Sequence, residues 1–368
     1  MGQTIISADS HVAENGDAFA QIDPRFRDRA PRQIHHESLG AAMTIDGMAM
    51  PVPMGMIIAA DRSPEQISRF AVGWDQLLAG GWDAKARLAD QDRDGIHAEV
   101  LYPSVGMVLC NHPDVDYMKA CFDAYNRWLA GYCETDPKRL IGIGMSAVRS
   151  VEEAVDDLRA IKAAGFKGVM LPGVPRVEDY DQPVYDPLWE AAVDLELPVS
   201  FHILTTRGSN FEDQKFLRGP SINKFMAIIR GNQDLMGMFV FGGVFERHPQ
   251  LKVVCVEADA GWAPHFMYRM DHAYERHRFW LKTGGITRLP SEYFKESIYL
   301  TFQDDRVATH MSEMVNMRRV MWANDYPHSD STWPRSQEIL AGLVADLSPQ
   351  ETQWMLHDNV ADLYGLDV

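Results

Sequence analysis

Short apolar runs and longer stretches of helical spacing take turns along most of this chain. The first run, Thr4-Ile5-Ile6-Ser7-Ala8, is apolar, β-branched and bounded by polar residues, the pattern of a buried strand. From about residue 97 the alternation becomes regular. His97 to Ser104 reads as a strand, Asp116 to Glu134 as a helix, Leu140 to Val148 as a strand, and Val151 to Ala164 as a helix with Ser150 as its N-cap. Gly168 to Pro172 is followed by a helix near Pro187 to Leu195, and Pro198 to Ile203, Lys252 to Ala258, Ile298 to Phe302 and Val320 to Asn324 complete eight strands. Strands buried on both faces, each answered by a helix, specify a parallel sheet, and eight such units close into a barrel. The expected fold is α/β, a (β/α)8 barrel of the TIM type, with residues 1–368 forming a single domain.

One segment, about residues 15–82, breaks the repeat. It is rich in Pro, Gly, Met and charge, as in Gly47-Met48-Ala49-Met50-Pro51, and holds no sustained period, so it reads as an insertion after the first strand. That position overhangs the active-site face of a barrel. A Met-rich apolar composition there suits a lid over a substrate, and it equally suits a loop packed on the barrel or on a partner subunit. Two shorter insertions, Thr205 to Ser221 and Thr283 to Glu296, are expected to follow strands as well.

Composition and charge narrow the partners. The chain is 46% hydrophobic, enough for a substantial core, and its 52 acidic against 35 basic residues give a formal charge of -17. Such a field repels nucleic acid and anionic membrane, so the expected partner is a small molecule. The chain starts straight into a strand and carries no later apolar span of about 18 residues, which leads to an expectation of a cytoplasmic protein. Cys110, Cys121, Cys133 and Cys255 are widely spaced with no CxxC pair, so they are read as reduced, buried thiols and not as a disulfide framework or a thiolate zinc site.

Chemistry enters at the strand ends. Asp9 and His11, two apart on one strand, share a face, and in a barrel they meet the other residues at the C-terminal ends of strands: His202 on the fifth, Glu257 on the sixth and Asp325 on the eighth. Two imidazoles with carboxylates form a nitrogen and oxygen donor set suited to zinc, and also to manganese or iron, with a coordination position left for water. Lys167 stands at the start of the fourth strand and not at its end, so it is read as structural and a single metal ion is expected.

These segments resemble a known family. Asp9-Ser10-His11-Val12 with Glu14, Arg87-Leu88-Ala89-Asp90 with Asp92-Arg93-Asp94-Gly95, Ser200-Phe201-His202, Phe241-Gly242-Gly243-Val244-Phe245-Glu246-Arg247 and Asn324-Asp325-Tyr326-Pro327-His328 are similar to the amidohydrolase-related (amidohydrolase 2) family. That branch of the amidohydrolase superfamily contains aminocarboxymuconate semialdehyde decarboxylase and the resorcylate and carboxyvanillate decarboxylases. The resemblance implies a mononuclear site in a (β/α) barrel, with Asp9, His11, His202 and Asp325 as metal ligands and Asp325 also a proton shuttle. Relatives that decarboxylate place a histidine after the sixth strand, where this chain has Glu257. A carboxylate there is a general base for metal-bound water, or a further ligand, and a poorer proton donor at neutral pH unless burial raises its pKa.

The leading expectation is therefore a metal-dependent hydrolase of an amide, ester or activated carbon–carbon bond in a small organic or aromatic acid. The alternative is a nonoxidative decarboxylase of an aromatic or unsaturated acid at the same site. One divalent ion, zinc before manganese, is the expected cofactor. Asp325, Glu257 and His328 are the candidate catalytic residues, with His328 alternatively a cap for the following helix; Arg207, Trp262 and Tyr326 would suit a planar, anionic substrate. His265 stays a candidate by its nearness to the sixth strand's end. The family resemblance adds an expected homo-oligomer, such as a homodimer.

Overall fold

The structure is a computed structural model that describes residues 4–206 and 219–367. Its centre is a sheet of eight parallel strands hydrogen-bonded in sequence order: β1 (Ile6–Val12), β2 (Ala98–Pro103), β3 (Leu140–Met145), β4 (Gly168–Met170), β5 (Val199–His202), β6 (Val253–Val256), β7 (Ile298–Phe302) and β8 (Val320–Trp322). Every residue of these strands is buried, which explains why they read as continuous apolar runs and not as alternating ones. Closure is made just past β8, where Asp325 N–H donates to Asp9 O at 3.1 Å and His11 N–H to Tyr326 O at 2.6 Å. The nearly closed (β/α)8 barrel expected from the sequence is thus present.

Among the described residues, the helices around the strands include α1 (Ala84–Asp94), α2 (Val115–Cys133), α3 (Val151–Ala163), α4 (Asp186–Asp194), α5 (Lys224–Phe241), α6 (Ala263–His277), α7 (Arg306–His310) and α8 (Ser336–Leu343). Polar side chains start several of them. Ser150 accepts from Glu153 N–H, Asp83 from Lys85 and Ala86 N–H, and Asp114 from Tyr117 N–H. The glycines of β3 set how closely its neighbours approach. A Cβ at Gly142 would come within 2.7 Å of the Phe166 ring, and one at Gly144 within 2.8 Å of Ile161.

The segment between β1 and α1 contains an antiparallel sheet of Arg32–His36, Gly40–Thr44 and Val52–Pro53. Ile34 is the one apolar residue of the first of these strands, so no alternation marks it. The segment is fastened to the barrel at two strand ends. The Ala59 and Ala60 N–H groups both donate to Pro327 O beyond β8, and Asp46 O meets His112 Nε2 beyond β2. Met43 and Met54 are fully buried, whereas Met50 and Met56 face solvent. Thr283 to Glu296 does not follow a strand as expected. It follows α6 and leads through the helix Pro290–Ser297 into β7, which places it at the opposite end of the barrel from the strand C-termini. Among the described residues, no helix is long and apolar enough to cross a membrane.

Candidate metal centre

An irregularity in β1 creates the first half of the site. Its register against β2 shifts between Ser7 and Ser10, so these two residues, three apart, turn to one side with their hydroxyls 3.0 Å from each other. Asp9 and His11 converge elsewhere, with His11 Nε2 3.4 Å from Asp9 Oδ1. His202 ends β5 and brings its Nε2 to 3.2 Å from His11 Nε2 and 3.6 Å from Asp9 Oδ1. Asp325, in the left-handed region at φ 50° beyond β8, sets Oδ1 3.4 Å from His11 Nε2. Glu257, also left-handed at φ 58° just after β6, reaches the same space, its Oε2 3.3 Å from His202 Nε2 and 3.4 Å from His11 Nε2. Non-glycine residues in this conformation are strained, and here the strain falls at the two strand ends that aim carboxylates inward.

The donor atoms suit a divalent cation. His11 Nδ1 donates to Pro103 O at 2.9 Å and His202 Nδ1 to Ile203 O at 3.2 Å, which leaves a lone pair on each Nε2. Two lone pairs facing each other repel unless a cation lies between them. Both oxygens of Asp9 and of Asp325, and Glu257 Oε2, are buried with no hydrogen-bond partner. Donors about 2.0–2.2 Å from one ion stand roughly 2.8–3.6 Å apart in tetrahedral or octahedral arrangements, the spacing observed here. Asp9, His11, His202 and Glu257 form one group whose donor atoms lie within 4.8 Å of one another, and His11, Glu257, Asp325 and His328 form a second, so the four residues expected as ligands are divided between two groups that share His11 and Glu257.

Without a cation these groups resist charge. Burial raises the Asp325 carboxyl well above the usual carboxylate range, with repulsion from Asp9 and Asp330 adding to it. Burial likewise raises Glu257, with Asp325 and Asp9 adding to it. His11 is held well below the usual imidazole range by burial, then by His328 and His202. A divalent cation at this point reverses both tendencies.

His328 is stacked on His11, ring centroids 3.8 Å apart, and its Nδ1 lies 3.0 Å from Asp325 Oδ1. Its Nε2 is 2.9 Å from Ser104 Oγ, whose own hydroxyl donates to Val12 O at 2.8 Å. Ser104 therefore accepts, and His328 Nε2 carries a hydrogen. The remaining nitrogen faces the Asp325 carboxyl group. Lone pair against carboxylate at that distance is repulsive, so the contact favours a proton on one member of the Asp325–His328 pair, though the geometry is not that of a hydrogen bond. Burial pushes the His328 imidazole down to about 4, which leaves that proton on Asp325 when no cation is bound.

A buried network holds the strand ends in place. The Arg87 guanidinium pairs with Glu99 and donates to His11 O at 2.7 Å, while Asn324 Nδ2 donates to Glu99 Oε1 at 2.8 Å. Asn324 Oδ1 in turn accepts from Ser10 Oγ, so β1, β2 and β8 are tied together beneath the ligands. Glu14 accepts from the Ser104, Val105 and Gly106 N–H groups and fixes the turn that carries Ser104. Ser104 and the pairing of Arg87 with Glu99 were missed by strand-end reasoning, although Ser104 directly follows the apolar run that ends β2.

Three expected substrate contacts fare differently. Tyr326 is turned away from the ligand cluster, its hydroxyl donating to Asp90 and its ring under Arg87 and against Trp333. Trp262 packs on Phe266 and Phe294, and its Nε1–H donates to the Ala258 and Asp259 carbonyls. Arg207 lies outside the described residues. His265 is exposed on α6.

The fold and the site define the class: a (β/α)8 barrel whose strand ends gather His, Asp and Glu side chains in two overlapping groups that could hold a metal ion. The chain belongs to the Amidohydrolase family, whose profile matches residues 82–366. It is 24% identical over 292 residues to 2-amino-3-carboxymuconate-6-semialdehyde decarboxylase of Dictyostelium discoideum, covering 78% of this chain and 77% of that one. Among solved structures it is similar to an amidohydrolase from Mycobacterium avium subsp. paratuberculosis, with TM-score 0.80, 19% identity and coverage of 99% of this chain and 100% of the other. It is also similar to 5-carboxyvanillate decarboxylase from Novosphingobium aromaticivorans, solved with manganese and 4-hydroxy-3-methoxy-5-nitrobenzoic acid, with TM-score 0.69, 20% identity and coverage of 99% and 97%. The relatives named for a reaction are decarboxylases, which favours the alternative expectation over the hydrolase.

Proposed function

We propose that the protein is a metal-dependent nonoxidative decarboxylase of an aromatic or unsaturated carboxylic acid. The observation that carries this reading is the 3.0 Å approach of His328 Nδ1 to Asp325 Oδ1, which sets an acid–base pair beside the candidate metal site, because decarboxylation begins with an acid beside the substrate and hydrolysis with a base. Asp9, His11 and His202, with Asp325 3.4 Å from His11, would hold the ion, zinc or manganese, which would supply electrostatic anchoring for the substrate's carboxylate and a neighbouring oxygen. The Asp325–His328 pair, with His328 as the source of the proton, would protonate the carbon bearing the carboxylate. The carbon–carbon bond then breaks, its electron pair restores the ring or double bond, and carbon dioxide leaves. His328, fixed by Ser104, returns a proton to Asp325 for the next cycle. Arg207 would pair with a second anionic group on the substrate.

Hydrolysis stays the second reading because Glu257 stands where the decarboxylases that this chain resembles have a histidine, and a carboxylate suits the role of base. Product analysis separates the two. Manganese-loaded protein offered salicylate-type acids in labelled water is expected to release carbon dioxide with no oxygen-18 in the product. Turnover of amides or lactones to oxygen-18-labelled acids, with no carbon dioxide from any acid, would contradict the proposal.

A further inference from the structure

We infer that Glu257 is a fifth protein ligand of the metal ion in the substrate-free enzyme, supplied by β6 and occupying a position that four ligands would leave to water. Its Oε2 stands 3.3 Å from His202 Nε2 and 3.4 Å from His11 Nε2, matching the 3.6 and 3.4 Å separations of Asp9 Oδ1 from the same two atoms. A general base acting on metal-bound water lies farther out. Its oxygen is about 2.5–3.0 Å from a water that is itself about 2.0–2.2 Å from the ion, which carries it beyond the ligand polyhedron. Glu257 Oε2 is inside that polyhedron and has no hydrogen-bond partner.

The backbone is built to hold it there. Glu257 adopts a left-handed conformation at φ 58°, and its N–H donates to Thr301 Oγ1 on β7 at 2.8 Å, which fixes the turn that directs the side chain inward. The Glu257 side chain is 13% exposed, whereas Asp9, His11, His202 and Asp325 are at 0%. Glu257 is thus the ligand at the mouth. Three carboxylates then outnumber the ion's two charges, and a substrate that chelates through two oxygens has to displace Glu257 to bind. The assignment concerns the metal and holds whether the enzyme decarboxylates or hydrolyses.

Counting inner-sphere waters on the manganese-loaded protein tests it, by electron paramagnetic resonance line broadening in oxygen-17 water. Manganese(II) prefers six ligands, so five from the protein leave about one water. The wild type is expected to show one water and Glu257→Ala two, with the manganese dissociation constant of the variant raised at least tenfold. Two waters in the wild type, or equal counts in wild type and variant, would overturn the assignment. The wild-type count decides by itself if the variant does not fold, and Glu257→Gln gives a near-isosteric second comparison.

Discussion

At the scale of single residues, the site depends on which nitrogen of each histidine is free. Pro103 O and Ile203 O take the Nδ1 hydrogens of His11 and His202, so both present Nε2 to the cation, while Ser104 reverses the arrangement in His328 and turns Nδ1 toward Asp325. The proposed role of His328 makes a prediction about rate. His328→Gln removes a group that restores the Asp325 proton, and loss of an acid–base partner costs roughly 10²–10⁴-fold in kcat. Metal content should stay at the wild-type value. Steady-state kinetics with metal analysis checks both, and a variant that loses metal together with activity would mean that His328 acts by holding the ion. Sequence reasoning named His328 through its spacing from Asp325, and strand ends brought Asp9, His11, His202, Glu257 and Asp325 to one end of the barrel, where the structure also has them. It did not find the orientation of Tyr326, because a neighbour in sequence to Asp325 on an irregular turn has no alternation rule to say which way it faces.

At the scale of elements, β1, β2 and β8 are joined by a polar clamp inside an otherwise apolar barrel. The Arg87 and Glu99 side chains are 0% and 1% exposed, so each is a charge that water does not reach. Removing one partner of such a pair strands the other. Arg87→Met is therefore expected to destabilise the protein by about 3–5 kcal/mol and to weaken metal binding, since Arg87 also holds the His11 carbonyl. Denaturant unfolding of the metal-free variant measures the first effect; a loss below about 1 kcal/mol would show that the clamp does not hold the strand ends. The barrel elements were legible because each strand is buried on both faces and several helices have a polar start. The sheet of the insertion was not, because Arg32–His36 is a mostly exposed polar strand and Gly40–Thr44 is short and buried without alternation. The network of Arg87, Glu99 and Asn324 joins residues far apart in sequence through side-chain contacts that no local spacing announces.

At the scale of the whole molecule, the fold concentrates carboxyl groups at one end of the barrel and leaves their charge to be met by a cation. The metal-free protein should show this as a pH dependence. Asp325 and Glu257 are raised well above the ordinary carboxylate range by burial, and Asp259 is raised to about 7 by burial and its neighbours Asp305 and Asp304. Each therefore binds more protons folded than unfolded at neutral pH, so stability falls as pH rises. His11 and His328, which are lowered, are neutral in the folded state but half protonated in the unfolded state near pH 6.5, so they oppose the fall weakly there and add no slope above about pH 7.5. Between about pH 6.5 and about pH 8 the metal-free Tm is expected to drop by roughly 2 °C or more, while saturating metal removes the part due to Asp325 and Glu257 because it binds the deprotonated ligands. A metal-free Tm that rises over this range would contradict the burial of these groups.

The central claim is that one divalent ion is held at the ends of β1, β5 and β8. Anomalous diffraction from crystals of the protein grown with manganese tests it most directly. One peak is expected per chain, within bonding distance of Asp9, His11, His202 and Asp325. No peak among these four residues, or two peaks there, would contradict the account.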